Sequence, residues 1–336
     1  MSTKNEKEFV FIPTKCCEIP PEDIKFPVYG TPKIDGSNAF VGEDGQLYGR
    51  SKKKFKNKQL NSVLSRYLLT GFCFEITVGS LKDRETDDIC RRTTSYVNSI
   101  DKEVDEITIS LFDYLGVNFE SYCTKKYLER WLIGSLSVAM LKNITGTKFH
   151  KNVKVNIDFL NFKQINTPQE AITYYEWCLE QGYEGAIFRN DTPYKCGRST
   201  KNSQETLRMK PQADSEAVVI GFIEAQTNNN EAKVNELGRT ERSNHQENKV
   251  GNGMLGSFVC IDSKTGMEIN VGAGKLSHQE RIVVWDERDI HIGSIVKYRS
   301  MTAGVKDKPR FPRFISWRDK DDVDLSECHK DFLDKI

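Results

Sequence analysis

The feature that most restricts how this chain can fold is a change of texture near Pro211. Before it, apolar runs alternate with well-marked helix starts. After it come short strand-like runs, EAVVIGFI at 216–223, GSFVCID, MEINVG and SIVKYRS, with a single helix capped by Ser277 and Glu280. Several short strands with one helix, in roughly 120 residues, suit a small barrel such as an OB-fold. The expected division is therefore 1–211 and 212–325, with 326–336 as a tail. Within the second part, Gln226 to Gly253 is nearly all polar, with Ala232, Val234, Leu237 and Val250 as its apolar residues. That stretch is too long and too polar for an ordinary connection, so it is either functional or disordered.

The first part mixes both element types, which makes the fold class α+β. GEDGQ at 42–46 lies between AFV and LYGR and reads as a β-hairpin turn. Ile107, Ile109 and Leu111 alternate with polar residues as in a strand. Thr124 is placed to cap a helix carrying Tyr127, Leu128, Trp131 and Leu132. Thr167-Pro168-Gln169-Glu170 is a capping box with proline at the first helical position, and that helix should stop at Gly182.

Composition adds limits. The net charge is +1, so bulk charge does not announce a nucleic-acid partner, but Arg50 to Lys58 places six basic residues in nine. Such a run is most often a solvated face. The nine cysteines show no C-x-x-C pair and no zinc spacing, which suggests reduced thiols inside a cell. The start, MSTKNEKEFVFIP, has no apolar core of a signal peptide, and no run of about 18 apolar residues occurs. Neither secretion nor membrane insertion is expected, and the cytoplasm is the expected compartment.

Candidate chemistry begins at TPKIDGSN, 31–38, where Lys33 precedes Asp35 and Gly36. A lysine in a turn is ordinarily a surface charge, and K-x-D-G is short enough to arise by chance. Glu75 sits in GFCFEITVG, where a carboxylate must find a partner or face solvent from an alternating strand. Phe112 ends the strand of 107–111, and the common fate of such a residue is the core. Glu184-Gly185 follows the second helix and opens AIFRN. YKCGRST follows at 194–200, then LRMKP at 207–211, in which Arg208 and Lys210 share one strand face. A half-exposed edge strand is the bland reading of that last run.

Taken in order, Lys33, Glu75, Phe112, Glu184 and Lys210, followed by a β-rich end reading PRFPRFISWRDKDD, resemble the covalent nucleotidyltransferases, and specifically the small ATP-dependent DNA ligases of viruses and phages. The likeness runs from about residue 26 to residue 322. FPVYGTPKIDG resembles the first motif of that family and LYGRSKKKFKN the second. EGAIFRN and YKCGRST resemble the fourth motif and the strand beyond. GMLGSFVC, VGAGKLSHQER and KPRFPRF resemble the OB domain.

The resemblance implies a nucleotidyltransferase domain of antiparallel sheets and helices, ATP-grasp-like in layout, followed by an OB-fold. It implies three steps: adenylylation of a lysine by ATP, transfer of AMP to a 5′-phosphate, and attack by a 3′-hydroxyl. Lys33 is then the nucleophile, with Asp35 in the same motif, while Arg208 and Lys210 hold the α-phosphate. Thr31, Glu75 and Phe112 bind the nucleotide, Glu75 at the ribose and Phe112 stacked on adenine. Glu184 helps hold Mg²⁺ or Mn²⁺, whose oxygen preference suits a carboxylate. Arg310 and Asp322 belong to a last motif that contacts the pyrophosphate of ATP. Arg50 and Arg198 grip the 5′-phosphate of the nick, with Lys52 and Asn38 also on the DNA side. Residues 226–253 occupy the place of a DNA-clamping latch, loose without DNA, whose Lys233, Arg239, Arg242 and Lys249 contact phosphates. The implied partner is nicked duplex DNA, of the kind left by replication and repair, and the implied state a monomer.

Three departures stand out. Asn38 replaces the arginine of K-x-D-G-x-R, as in RNA ligases, so RNA or RNA/DNA-hybrid sealing is the alternative substrate reading. Arg208 replaces a lysine, and Cys73-Phe74 replaces the usual D-G before Glu75. An mRNA guanylyltransferase shares the lysine and the OB domain, but 42–60 and 194–200 match ligases. A non-catalytic nucleic-acid-binding protein has no need of Lys33, Glu75, Glu184 and Lys210 together.

Overall fold

The computed structural model describes residues 9–79, 89–140, 146–150, 152–301 and 308–336. The chain divides into two compact units, Met1–Lys210 and Pro211–Ile336.

The first unit opens with β1 (Val28–Lys33), β2 (Ser37–Val41), β3 (Leu47–Gly49), α1 (Lys58–Leu64), β4 (Phe72–Val78) and α2 (Ile89–Asn98). It continues with β5 (Glu106–Tyr114), α3 (Phe119–Cys123), α4 (Tyr127–Met140), β6 (Gly146–His150), β7 (Val153–Phe159) and β8 (Lys163–Ile165). It ends with α5 (Pro168–Glu180), β9 (Gly185–Arg189) and β10 (Thr206–Met209). Two sheets result: four strands in the order β10-β9-β1-β8, and six in the order β3-β2-β4-β5-β7-β6. Each sheet has its own apolar core. Phe74, Ile76, Ile107, Ile109 and Val155 belong to the larger, and Val28, Ile165, Ala171 and Phe188 to the smaller.

Local chemistry explains several elements. Thr167 caps α5 by accepting from Glu170 N, and Glu170 takes the backbone N–H of Asn166 at 2.9 Å. The hairpin across 42–46 pairs Val41 with Leu47. Residues 107–111 form β5, but the alternation there is misleading. Thr108 and Ser110 are as buried as the apolar residues, because β5 is a central strand covered on both faces. Thr124 does not cap α4. It ends α3, and its hydroxyl donates to Ser121 O at 2.7 Å. Asp191, remote in sequence, accepts from Leu128 N at 3.0 Å in the first turn of α4. YKCGRST is not a strand; it is a loop tied to residues 12–17. All nine cysteines are free thiols.

The second unit comprises β11 (Gln212–Asn228), β12 (Ala232–Val234), β13 (Thr240–Arg242), β14 (Lys249–Asp262), β15 (Glu268–Gly272), α6 (His278–Asp286), β16 (Ile295–Met301), β17 (Arg310–Arg318) and α7 (Lys330–Leu333). Strands β11-β14-β15-β17-β16 close into a barrel around Phe258, Val271, Val296 and Phe314. Ser277 and Glu280 form the full capping box of α6.

The polar segment 226–253 is folded. Strands β11 and β14 continue their ladder beyond the barrel, pairing Gln226 with Gly251 and Asn228 with Lys249, and β12 pairs with β13. Its asparagines replace an apolar core. Asn230 is buried and donates to Ser243 O at 2.9 Å and His245 O at 2.8 Å, while Asn228 donates to Ser243 O at 2.8 Å. Composition suggested looseness because it does not register side chains that satisfy the backbone.

The last residues are packed. Phe332 of α7 is fully buried against Val218 and Ile295, and His329 N donates to Ser263 O at 2.7 Å. Phe332→Ala should lower the stability of this unit by about 3–5 kcal/mol. Urea unfolding of the full chain checks this, and an unchanged midpoint refutes it.

Candidate active site

Lys33 is the last residue of β1 in the smaller sheet, and Ser37 is the first of β2 in the larger. The chain crosses between sheets in three residues, Ile34, Asp35 and Gly36. There is no room for a side chain at the last of these: a Cβ on Gly36 would lie 2.2 Å from Ile76 O. Asp35 is half-buried in this crossing. A cavity of about 220 Å³ takes its walls from both sheets. Thr31, Lys33 and Ile187 line it from the smaller sheet, and Asn38, Glu75 and Phe112 from the larger.

Glu184 is fixed to Lys33 twice. Its backbone N–H donates to Lys33 O at 3.0 Å, and its carboxylate accepts a short, charge-assisted hydrogen bond from Lys33 Nζ. The neighbouring Gly185 has φ +147°, and a Cβ there would lie 2.1 Å from Met209 O, so glycine is what lets β10 approach. Lys210 follows β10; burial, and then the adjacent Arg208 charge, lower its pKa. Arg208 lines the cavity and pairs at 3.2 Å with Glu18 near the surface. Lys33 and Arg208 line the cavity, and the Glu184 carboxylate and the Lys210 amine lie close to them.

Glu75 stands across from Asn38 in the β2–β4 ladder, and Asn38 Nδ2 donates to Glu75 Oε2 at 3.3 Å. Burial pushes the Glu75 carboxyl up to about 7, against the opposing pull of Arg50 and Lys33.

The other end of the cavity holds groups that the sequence reading missed. Arg189 ends β9, and its Nη1 donates to Thr31 Oγ1 at 3.0 Å, with both residues buried. Asp113 and Arg130 form a buried two-pronged ion pair, at 2.9 and 3.0 Å, and both line the cavity. A charge closing the apolar run AIF was visible at Arg189, much as at Glu75. Arg130 was hidden on a helix whose apolar residues drew the attention.

Arg50 and Arg198 line the cavity as well. Arg50 follows β3 in an exposed turn, and Lys52 lies in the same turn with φ +61°. Arg198 sits in the loop held by the N-terminal segment, through Lys15 N to Gly197 O at 2.7 Å and Ser199 N to Lys15 O at 2.8 Å. Pro13, Thr14 and Lys15 line the cavity too, and no sequence signal marked them. Arg310 and Asp322 belong to the second unit, at the start of β17 and on an exposed turn after it. Among the described residues, no three His, Cys, Asp or Glu side chains gather as a metal cage. Glu184 offers one carboxylate, which suffices for an ion such as Mg²⁺ that keeps waters and takes phosphate oxygens.

Comparison with known proteins sets the chain beside DNA ligases. The family model described as DNA ligase OB-like domain matches residues 248–318. A DNA ligase of Methanocaldococcus jannaschii is 27% identical over 209 residues, 56% of this chain and 35% of that relative, so the match spans about a third of the relative's length. The structure of chlorella virus DNA ligase-adenylate is 26% identical, with TM-score 0.52, over 94% of this chain and all of that one. A Lig E DNA ligase studied for DNA binding with a minimal scaffold shares the fold, with TM-score 0.64 and 18% identity, over 92% of this chain and all of that one. The chain is similar, nearly end to end, to a viral DNA ligase.

The raised Glu75 carboxyl has a consequence for stability. The folded state binds this proton more tightly than the unfolded state. Its contribution is therefore complete below the ordinary glutamate range and is lost as pH rises to about 7. Glu75→Gln, which mimics the neutral form, should match wild type near pH 5 and be the more stable at pH 8. Urea titrations at the two pH values test this; a difference that does not change with pH contradicts it.

Proposed function

We propose that this chain is an ATP-dependent DNA ligase that seals 3′-hydroxyl/5′-phosphate nicks in duplex DNA. The observation that carries the reading is a cavity lined by Lys33, Arg208, Glu75 and Phe112, with Glu184 paired to Lys33 and Lys210 close by.

In the first step the Lys33 amine, once neutral, attacks the α-phosphorus of ATP. A nitrogen–phosphorus bond forms, pyrophosphate leaves, and the enzyme carries AMP. Arg208 and Lys210 hold the α-phosphate oxygens and stabilise charge that builds there. Phe112 stacks on the base, Thr31 lies beside it and Glu75 accepts from the ribose. Asp35 fixes the turn that presents Lys33. Arg310 and Asp322 attend the departing pyrophosphate. Glu184 would hold Mg²⁺ or Mn²⁺, which would supply charge neutralisation at the phosphates.

In the second step a 5′-phosphate oxygen attacks the AMP phosphorus, and Lys33 leaves as the amine. In the third, the 3′-hydroxyl attacks the adenylated 5′-phosphate and AMP departs. Arg50 and Arg198 grip that 5′-phosphate, where a guanidinium fork is apt. Lys52 and the exposed lysines after it follow the backbone. The hairpin of 226–253 clamps DNA through Lys233, Arg239, Arg242 and Lys249. The enzyme acts as a monomer inside the cell, where its thiols stay reduced. No helix among the described residues is long and apolar enough to cross a membrane. RNA or hybrid sealing is not favoured, since the relatives above are DNA ligases.

Incubation with α-labelled ATP and Mg²⁺ should label wild type and leave Lys33→Ala unlabelled. Label persisting on that variant refutes the assignment. Given DNA, RNA and mixed nicks, the enzyme should seal DNA best; exclusive sealing of RNA would reverse the substrate. Replacing 229–248 by Asn-Gly, which can close the β11–β14 ladder as a tight turn, should leave labelling intact and weaken sealing about tenfold or more through lost phosphate contacts. Undiminished sealing would remove the hairpin from DNA binding.

A further inference from the structure

Outside the nucleotide chemistry, the fold sets two cysteines side by side. Cys123 ends α3 and is 7% exposed, while Cys196 lies half-buried in the loop 194–200 that carries Arg198. Both are free thiols, and both belong to one apolar cluster with Phe11, Phe40 and Phe119. A backbone hydrogen bond fastens the two segments, from Tyr194 N to Cys123 O at 2.9 Å. The two thiols complete the contact by a hydrogen bond to each other. The steps above use neither of them. A buried thiol is as a rule an inert small hydrophobe, so the pair needs a second feature before it is more than packing.

That feature is the unequal surroundings of the two sulfurs. Cys196 accepts from the Cys123 thiol and from Ile12 N–H, with the Lys195 and Lys52 charges near. Together these hold its pKa below the usual thiol range, against the opposing pull of burial. Cys123 has the reverse: its bond to Cys196 holds its proton, burial adds to the effect, and its pKa is raised. One sulfur is therefore a partly exposed thiolate, and the other a buried thiol placed against it. This is the arrangement of an attacking cysteine with a resolving one. Cys73 in the same cluster and Cys260 in the barrel lack it, since burial above all raises both.

We propose that Cys196 is a site of oxidation by hydroperoxides and that Cys123 resolves the product as a disulfide. The Cys196 thiolate attacks a peroxide oxygen; the S–O bond forms, the O–O bond breaks and hydroxide leaves. The sulfur loses two electrons and the peroxide gains them. The Cys123 sulfur then attacks the sulfenyl sulfur of Cys196. An S–S bond forms, the S–O bond breaks, and the departing hydroxide takes the Cys123 proton to become water. A dithiol restores both thiols by exchange. A disulfide holds its sulfurs closer than a hydrogen bond does, so the loop is drawn towards α3. Gly197, next in the chain, donates to Ile12 O at 3.1 Å and accepts from Lys15 N at 2.7 Å, and those bonds seat Arg198. Oxidation therefore displaces Arg198. The chemistry of the pair stands by itself, and its consequence for sealing rests on the ligase reading above.

The test treats the full chain with hydrogen peroxide, then alkylates and digests it for mass spectrometry. Wild type should yield a linked Cys123–Cys196 peptide that dithiothreitol removes. Cys123→Ala should keep Cys196 as a sulfenic acid, which dimedone captures. Sealing of nicked DNA by wild type should fall about tenfold or more on oxidation and return on reduction, since a shift of about 1 Å in a positioning group costs up to about a hundredfold. Cys196→Ala should seal alike with and without peroxide. Wild type that keeps both thiols open to alkylation while its other cysteines oxidise overturns the proposal. So does dimedone capture away from Cys196 in Cys123→Ala. A linked peptide with undiminished sealing overturns the effect on Arg198. Reduced wild type that seals no nick is a failure of the ligase reading instead, and the linked peptide still decides the pair.

Discussion

Three residues, Ile34 to Gly36, carry the backbone from one sheet to the other, and the site depends on how little room they have. With Gly36 pressed against Ile76 O, the end of β1 and the start of β2 are held at a fixed spacing. Lys33 is therefore presented from one sheet towards side chains rooted in the other, Asn38, Glu75 and Phe112. Because each sheet has its own apolar core, the space between them need not be filled by packing. Charged groups can gather there, and the ordering cost of each is met by its strand rather than by its neighbours.

Charge is distributed along that space by partner. The lysine end holds Lys33 against Glu184, with Lys210 nearby, its amine depressed by burial and then by the Arg208 charge. The opposite end is braced by Asp113 and Arg130, a buried pair with two parallel hydrogen bonds joining β5 to α4. Arg130 also donates to Lys125 O at 2.6 Å and Thr192 O at 3.4 Å, which ties in the loop leading to Arg198. Removing either partner of such a pair strands a charge and costs about 3–5 kcal/mol, so the brace is well determined although its net gain is small.

Local chemistry was legible where it is self-contained. The caps at Thr167 and Ser277, and the hairpin at 42–46, need only neighbours in sequence to form. Long-range partners were not legible. Thr124 looked like the cap of α4, yet the bond in that helix's first turn comes from Asp191. The alternation at 107–111 suggested one wet face, and the register buries both. In the cavity, Lys33, Glu75, Phe112 and Arg208 stood in sequence motifs. Arg189 stood in the run EGAIFRN without a role, and Tyr127, Arg130 and the segment at 13–15 stood in no motif, because their place in the cavity comes from what the fold sets beside them. The segment 226–253 fails in the opposite sense: its sequence looks unable to fold, and its asparagines make a fold from backbone bonds.

Asn38 shows how a departure from a family pattern can be read physically. It lies directly across the ladder from Glu75 and reaches that carboxylate at 3.3 Å. An arginine here would set a full positive charge on Glu75. Asparagine sets only a dipole, so burial prevails and the carboxyl stays near 7, despite Arg50 and Lys33. The residue type at 38 therefore acts first on the ionisation of the group proposed to hold the ribose. Its effect on the polynucleotide can arise only through that group or through the end of the side chain left over. An asparagine that gives one N–H to Glu75 keeps its other N–H and its carbonyl oxygen, a donor suited to a phosphate and an acceptor suited to a hydroxyl.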